Sequence, residues 1–178
     1  MYAMMHSPYL GLWKCIVGLF AAFVSLGLAC GASQAQDLPM EKTLPLALVI
    51  EAVQAALATC VQQGDRVSAA VVDRAGLVRA IIRGDGAGAH TLDSSRRKAY
   101  TASSLRLSTM ELAHMVSQSP AIQGLRDMNE HILILGGGLP IKVGEEVIGG
   151  IGVGGGPSGQ RDEACAQAGI DKIKARLK

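Results

Sequence analysis

The spacing of apolar positions changes several times along this chain, and each change marks an element. Leu46, Ile50, Val53, Leu57 and Val61 recur at intervals of three and four, which puts them on one helical stripe. With Thr43 as N-cap and Gly64 as stop, a helix is predicted over about residues 44–63. RVSAAVVD and LVRAIIRG follow, rich in β-branched residues. Between them Asp73-Arg74-Ala75-Gly76 ends in a glycine able to take positive φ, so the two runs read as a strand hairpin. Gly84 to Gly88 interrupts regular structure, and TLDSSRRKAYTASSLR reads as a second helix ending near Leu107. Ser108-Thr109-Met110-Glu111 has the form of a capping box and opens a third helix, which runs through Val116 and stops before Ser119-Pro120. After the less regular AIQGLRDMNE come HILIL, LPIKV and EVIGGIGV, read as three strands. Gly136-Gly137-Gly138 separates the first two, and the hairpin pair Gly144-Glu145 separates the last two. A final helix runs from about Gln160 to Leu177, with Lys172, Lys174, Arg176 and Lys178 at the end where the helix dipole favours cations.

The order is therefore α, β, β, α, α, β, β, β, α. Tight hairpins imply antiparallel neighbours, because parallel strands need long crossovers. Helices at both ends and in the middle would cover the sheet, giving an α+β layered domain.

Gly150-Ile151-Gly152-Val153-Gly154-Gly155 spells the GxGxxG of a dinucleotide-binding loop. That motif needs a further parallel strand after its helix, ending in an acid for the ribose, and here the sequence ends with the helix. A phosphate-binding P-loop fails as well, since Gln160 stands where its lysine must be. The glycines at 150, 152 and 154 share one parity, so one face of their strand is bare. A helix, a second subunit or a flat ligand can then approach the backbone closely.

Residues 1–35 have the shape of a cleaved secretory signal: Lys14, the apolar run IVGLFAAFVSLGLA, then small residues up to Ala35. The run is roughly 15 residues, short of the ~20 that span a bilayer. A retained anchor, or a lipid on Cys30, is the alternative. The expected location is thus the periplasm or outside the cell, with residues 36–43 as a linker and 44–178 as the domain. Lys and Arg number 17 against 15 Asp and Glu, and aromatic residues are few, which argues against a nucleic-acid surface. Cys60 and Cys165 remain after processing. Sequence alone leaves open whether they pair or stay as free thiols.

The segments AAVVDRAGLVRAIIRGDGAG, SSRRKAYTASSLRLSTMELA, GGGLPI, VIGGIGV and GGPSGQRDEACAQAGI resemble, in that order, the GlcG/HbpS (DUF336-type) family, also seen as the C-terminal domain of PduO-type proteins. The resemblance implies a profilin-like fold, α/β/α layers around a five-stranded antiparallel sheet. It also implies a homo-oligomer, often an octamer. The exported branch of that family binds haem and signals to a sensor kinase. The GlcG branch has no assigned reaction and points to a small hydroxy acid as ligand.

Haem requires an iron ligand, an apolar slot and cations for the propionates. Carried over from the HbpS-like pattern, the KAYT segment makes Lys98, Tyr100 and Thr101 part of the implied site, with Arg97 beside it. Thr101 is a poor iron ligand, and His90, between the glycine-rich loop and the helix start, is the candidate to replace or supplement it. His114 reads as a packing or surface histidine, and His131 as the end of the irregular stretch. CxxCH is absent, so any haem is non-covalent. An enzyme has less support, since there is no GxSxG or HExxH. Asp73, Asp85, Asp162 and Glu163 form an acid/base or metal constellation only if the fold gathers them.

Overall fold

The computed structural model describes residues 35–178, and the expected signal segment falls almost wholly outside them. Residues Glu41–Lys178 form one compact unit. Its elements are α1 (Leu46–Gln62), β1 (Ser68–Asp73), β2 (Val78–Arg83), α2 (His90–Leu105), α3 (Thr109–Gln118), a 3-10 helix (Pro120–Arg126), β3 (Gly138–Val143), β4 (Glu146–Gly154) and α4 (Gly159–Lys174). The strands make one antiparallel sheet in the order β2-β1-β4-β3. Among the described residues no helix is long and apolar enough to cross a membrane.

Both predicted hairpins form. Gly76 closes the β1–β2 turn at φ +79°, and Gly144 opens the β3–β4 turn at φ +60°. The Ser108 hydroxyl accepts from the Glu111 N–H at 3.0 Å, as the capping box requires.

The sheet has four strands rather than five, because HILIL is not a strand. Its backbone groups are taken up elsewhere: the Leu133 N–H donates to Thr101 Oγ1, and the Ile132 carbonyl accepts from Arg97. The Ile132 N–H turns back to the Asn129 carbonyl. Those groups are then not available to a ladder, and the segment is held on the helix instead. The ladder instead begins at Gly138, which pairs with Gly152.

One sheet face packs against α1 and α4. Ala69, Val71, Leu139, Ile141, Ile151 and Val153 meet Val49, Val53, Cys165 and Ile173 there. Here the predicted stripe of α1 needs correction. Leu46, Ile50 and Val61 are exposed, and the buried side is Val49, Ala52, Val53, Ala56 and Cys60. Small residues face inward because α4 comes so close. A methyl group at Gly169 would lie 2.6 Å from the Ala52 carbonyl oxygen.

The opposite face carries α2, which answers what occupies the bare side of β4. A methyl at Gly150 or Gly152 would sit 2.2 Å from the carbonyl oxygen of Ala99 or Ser95. The helix backbone thus rests on the strand backbone, leaving no slot for a flat ligand between them.

Cys60 and Cys165 form a disulfide between α1 and α4, at a sequence separation of 105. Closing so long a loop restricts the unfolded chain strongly. Replacing both cysteines by alanine is expected to cost on the order of 2–5 kcal/mol. Urea unfolding should show it, and reductant should shift the wild-type midpoint while leaving the double variant unmoved.

Candidate functional site

Helix α2 carries most of the residues singled out from the sequence, but the fold distributes them over different surroundings. His90 is its first residue. The imidazole is exposed and folds back over Gly88, where a methyl would come within 2.6 Å of Cε1. Thr101 lies eleven residues further on, about 16 Å along the helix axis. Within one chain these two cannot meet at one iron.

Thr101 is fully buried. Its hydroxyl donates to the Arg97 carbonyl at 2.7 Å and accepts from the Leu133 N–H at 2.8 Å. It therefore serves to hold the 131–135 segment on α2. Lys98 is only 2% exposed. Its ammonium donates to Asp162 Oδ2 at 2.7 Å and to the Val153 carbonyl at 3.0 Å, while Asp162 Oδ1 accepts from the Gly156 N–H. The pair ties α2 to the end of β4 and the start of α4, and its charge is spent internally.

The remaining flank of α2 is reachable from solvent. Asp93 bridges two guanidinium groups, 2.8 Å from Arg96 and 3.6 Å from Arg97. The hydrogen bond from Arg96, with the charges of both arginines, holds the Asp93 carboxyl below its ordinary range despite partial burial. Arg97 also donates to the Ile132 carbonyl at 2.6 Å, while its buried Nε–H has no partner.

Across from these arginines sits His131, which in the sequence reads as the end of the irregular stretch. Its Nδ1 lies 3.3 Å from the Arg96 guanidinium, its Nε2 lies 3.6 Å from Glu130, and its ring meets Tyr100 edge-on at 5.3 Å. Tyr100 is backed by the β1–β2 turn, where a methyl at Gly76 would come 2.5 Å from its ring. The segment bearing His131 also exposes Met128 and Leu135. No spacing rule links residue 100 to residue 131, so only the placement of the non-strand segment reveals the cluster.

The four acids are not gathered. Asp73 accepts from the Leu77 N–H in its own turn, Asp85 lies on the glycine-rich loop, and Asp162 is paired with Lys98. Among the described residues no group of three metal-ligating side chains forms. Glu163 lies against the start of α3. Burial raises its carboxyl above the ordinary range, opposed by backbone N–H groups of Gly137 and Met110 and reinforced by the charge of Glu111.

The HbpS-like family model, described as haem-degrading protein HbpS-like, matches residues 44–171. The chain belongs to this family. It is 35% identical over 130 residues to an uncharacterized 15.0 kDa protein encoded between dhaT and dhaS in Citrobacter freundii, covering 72% of this chain and 91% of that one. Among solved structures it is similar to a double mutant of HbpS from Streptomyces reticuli, at 40% identity and TM-score 0.72, with 80% and 95% of the two chains covered. ORFY of Klebsiella pneumoniae, a DUF336 protein, matches at 33% identity and TM-score 0.74, covering 80% and 99%. The PduOC–haem complex matches at 27% and 0.68, covering 74% and 96%. The α+β fold and the GlcG/HbpS assignment thus stand, with four strands in the sheet.

Two stability predictions follow from the interior charges. Lys98→Met strands the Asp162 carboxylate and should cost on the order of 3–5 kcal/mol, much of it recovered in the Lys98→Met/Asp162→Asn double variant. Equal loss in both, by chemical denaturation, would show that the pair is not what matters. Glu163 binds its proton more tightly folded than unfolded, so its contribution to stability falls as pH rises through its raised pKa. Unfolding curves just above the ordinary carboxylate range should lose that slope in Glu163→Gln.

Proposed function

We propose that this protein binds haem non-covalently on the outer flank of α2, as an exported homo-oligomer. The observation that carries the reading is the meeting of Arg96, Arg97, Tyr100 and His131 at one solvent-reachable place. The donor set fits haem: imidazole and phenol are iron ligands, guanidinium groups pair with propionates, and Met128 and Leu135, close to His131 in sequence, are exposed apolar side chains. The unpartnered Nε–H of Arg97 adds a donor whose burial is uncompensated. The family description and the haem complex of PduOC support the same ligand class.

Bound haem would supply a redox-active iron. The chain's own residues would hold its carboxylates and orient the ring. Arg97 is already directed by the Ile132 carbonyl and Asp93, so it is the better positioned of the two arginines. Lys98 has no part in binding on this reading, since its ammonium is buried in an ion pair. His90 and Thr101 retain at most separate roles.

Export to the periplasm or beyond is supported by the N-terminal sequence and by the Cys60–Cys165 disulfide, which persists in oxidising compartments. Self-association, in an octamer by resemblance, is supported by exposed Leu77 and Val78 beside and on the edge strand β2. A sensor kinase is the partner that the exported HbpS-like branch suggests.

A second reading keeps the arginines and changes the ligand. Paired guanidinium groups bind carboxylates whatever carries them, so a small hydroxy acid of the GlcG type remains compatible. One titration separates the two. Haem added to the mature chain should give a saturable Soret shift that hydroxy acids do not abolish; no saturable shift, together with thermal stabilisation by a hydroxy acid, would favour the second reading. Because Asp93 competes with ligand carboxylates for both arginines, Asp93→Asn should tighten haem binding severalfold. Weaker binding in that variant would instead assign Asp93 to positioning the arginines.

A further inference from the structure

An axial ligand needs a lone pair that solvent can reach, near cations able to hold the propionates. Thr101 fails on the first count, since its hydroxyl both donates and accepts inside the fold. His90 is reachable, but its ring rests on the glycine-rich loop, and no hydrogen bond to either arginine ties it to them. His131 is different. Its side chain is 40% exposed, and its ring is oriented from two directions, by the Arg96 guanidinium and by the edge of Tyr100. Tyr100 is in turn held against Gly76, so the support is built from fixed elements.

The Arg96 contact has a chemical consequence. A guanidinium can only donate, so Nδ1 of His131 must accept from it. The neutral ring then carries its proton on Nε2, the nitrogen facing Glu130. In that tautomer Nε2 has no lone pair to offer a metal. If Arg96 is drawn away by a carboxylate, Nδ1 becomes free to take the proton, and Nε2 becomes a ligand. The proton moves between the two nitrogens by exchange with solvent, and nothing is oxidised or reduced.

We propose that His131 is the iron ligand of this protein and that Arg96 locks its tautomer until a propionate withdraws the guanidinium. Ligation and carboxylate recognition are thereby coupled through one side chain. Tyr100 is a positioning residue, setting the ring plane of His131. Asp93 holds Arg96 from the other side, which keeps the guanidinium within reach of the ring. The proposal rests on haem being the ligand, and it assigns the role to a residue outside the KAYT segment.

The test uses the full mature chain with two probes, haem and its dimethyl ester, whose propionates are blocked. Wild type should show an imidazole-ligated Soret and resonance Raman signature with haem and lose it with the ester. His131→Ala should lose that signature with haem and regain it when free imidazole is added, whereas His90→Ala should match wild type. Arg96→Gln should bind haem more weakly yet show histidine ligation with both probes, because the tautomer is no longer held. Circular dichroism of each variant establishes that it is folded. A His131→Ala protein with an unchanged signature overturns the ligand assignment while leaving haem binding intact. Histidine ligation of the ester by wild type overturns the lock, and absence of haem binding by wild type overturns both the inference and the function beneath it.

Discussion

Helix α2 rests with its backbone against the backbone of β4, and the rest of the domain is arranged around that contact. The approach is possible only because Gly150, Gly152 and Gly154 present no side chain toward Ser94, Ser95 and Ala99. It also brings the Lys98 ammonium within reach of the Val153 carbonyl and Asp162. A buried charge without partners would be prohibitive, so once α2 is seated, the start of α4 must supply the carboxylate.

That seating decides which faces of α2 are left for chemistry. The sheet-facing side is consumed by packing and by the ion pair. The 131–135 segment covers a second side, bound through Thr101 and Arg97 instead of through a strand ladder. The strip bearing Asp93, Arg96 and Tyr100 remains open, and the covering segment delivers His131 to it. The failure of HILIL to become a strand is therefore part of how the site is made. Had it entered the ladder, its backbone would be unavailable to the helix, and His131 would not be held by it.

The far face of the sheet is joined by different means. Small residues on α1 let α4 approach closely, and the Cys60–Cys165 disulfide links the two helices. This layer takes no part in the candidate site. It supplies the backing against which α2 and its strip are held.

Local pattern alone determined much of this protein. Periodicity located α1 while misjudging its buried stripe, a capping box opened α3, and turn chemistry at Gly76 and Gly144 fixed both hairpins. The parity of three glycines announced a close approach, and the ordered motifs identified the family. Each of these signals acts within a few residues, or repeats along one element, so each survives in a bare sequence. Tertiary structure decided the rest. It showed that the close approach belongs to α2, that small residues face inward on α1, that Cys60 meets Cys165, and that HILIL spends its hydrogen bonds on a helix. It also divided the KAYT neighbourhood, burying Lys98 and Thr101 while leaving Arg96 and Tyr100 beside His131. The physical reason is the same throughout: whether a polar group is available depends on what reaches it across the fold, and partners 32 and 64 residues away leave no periodic trace, as Thr101 with Leu133 and Lys98 with Asp162 show.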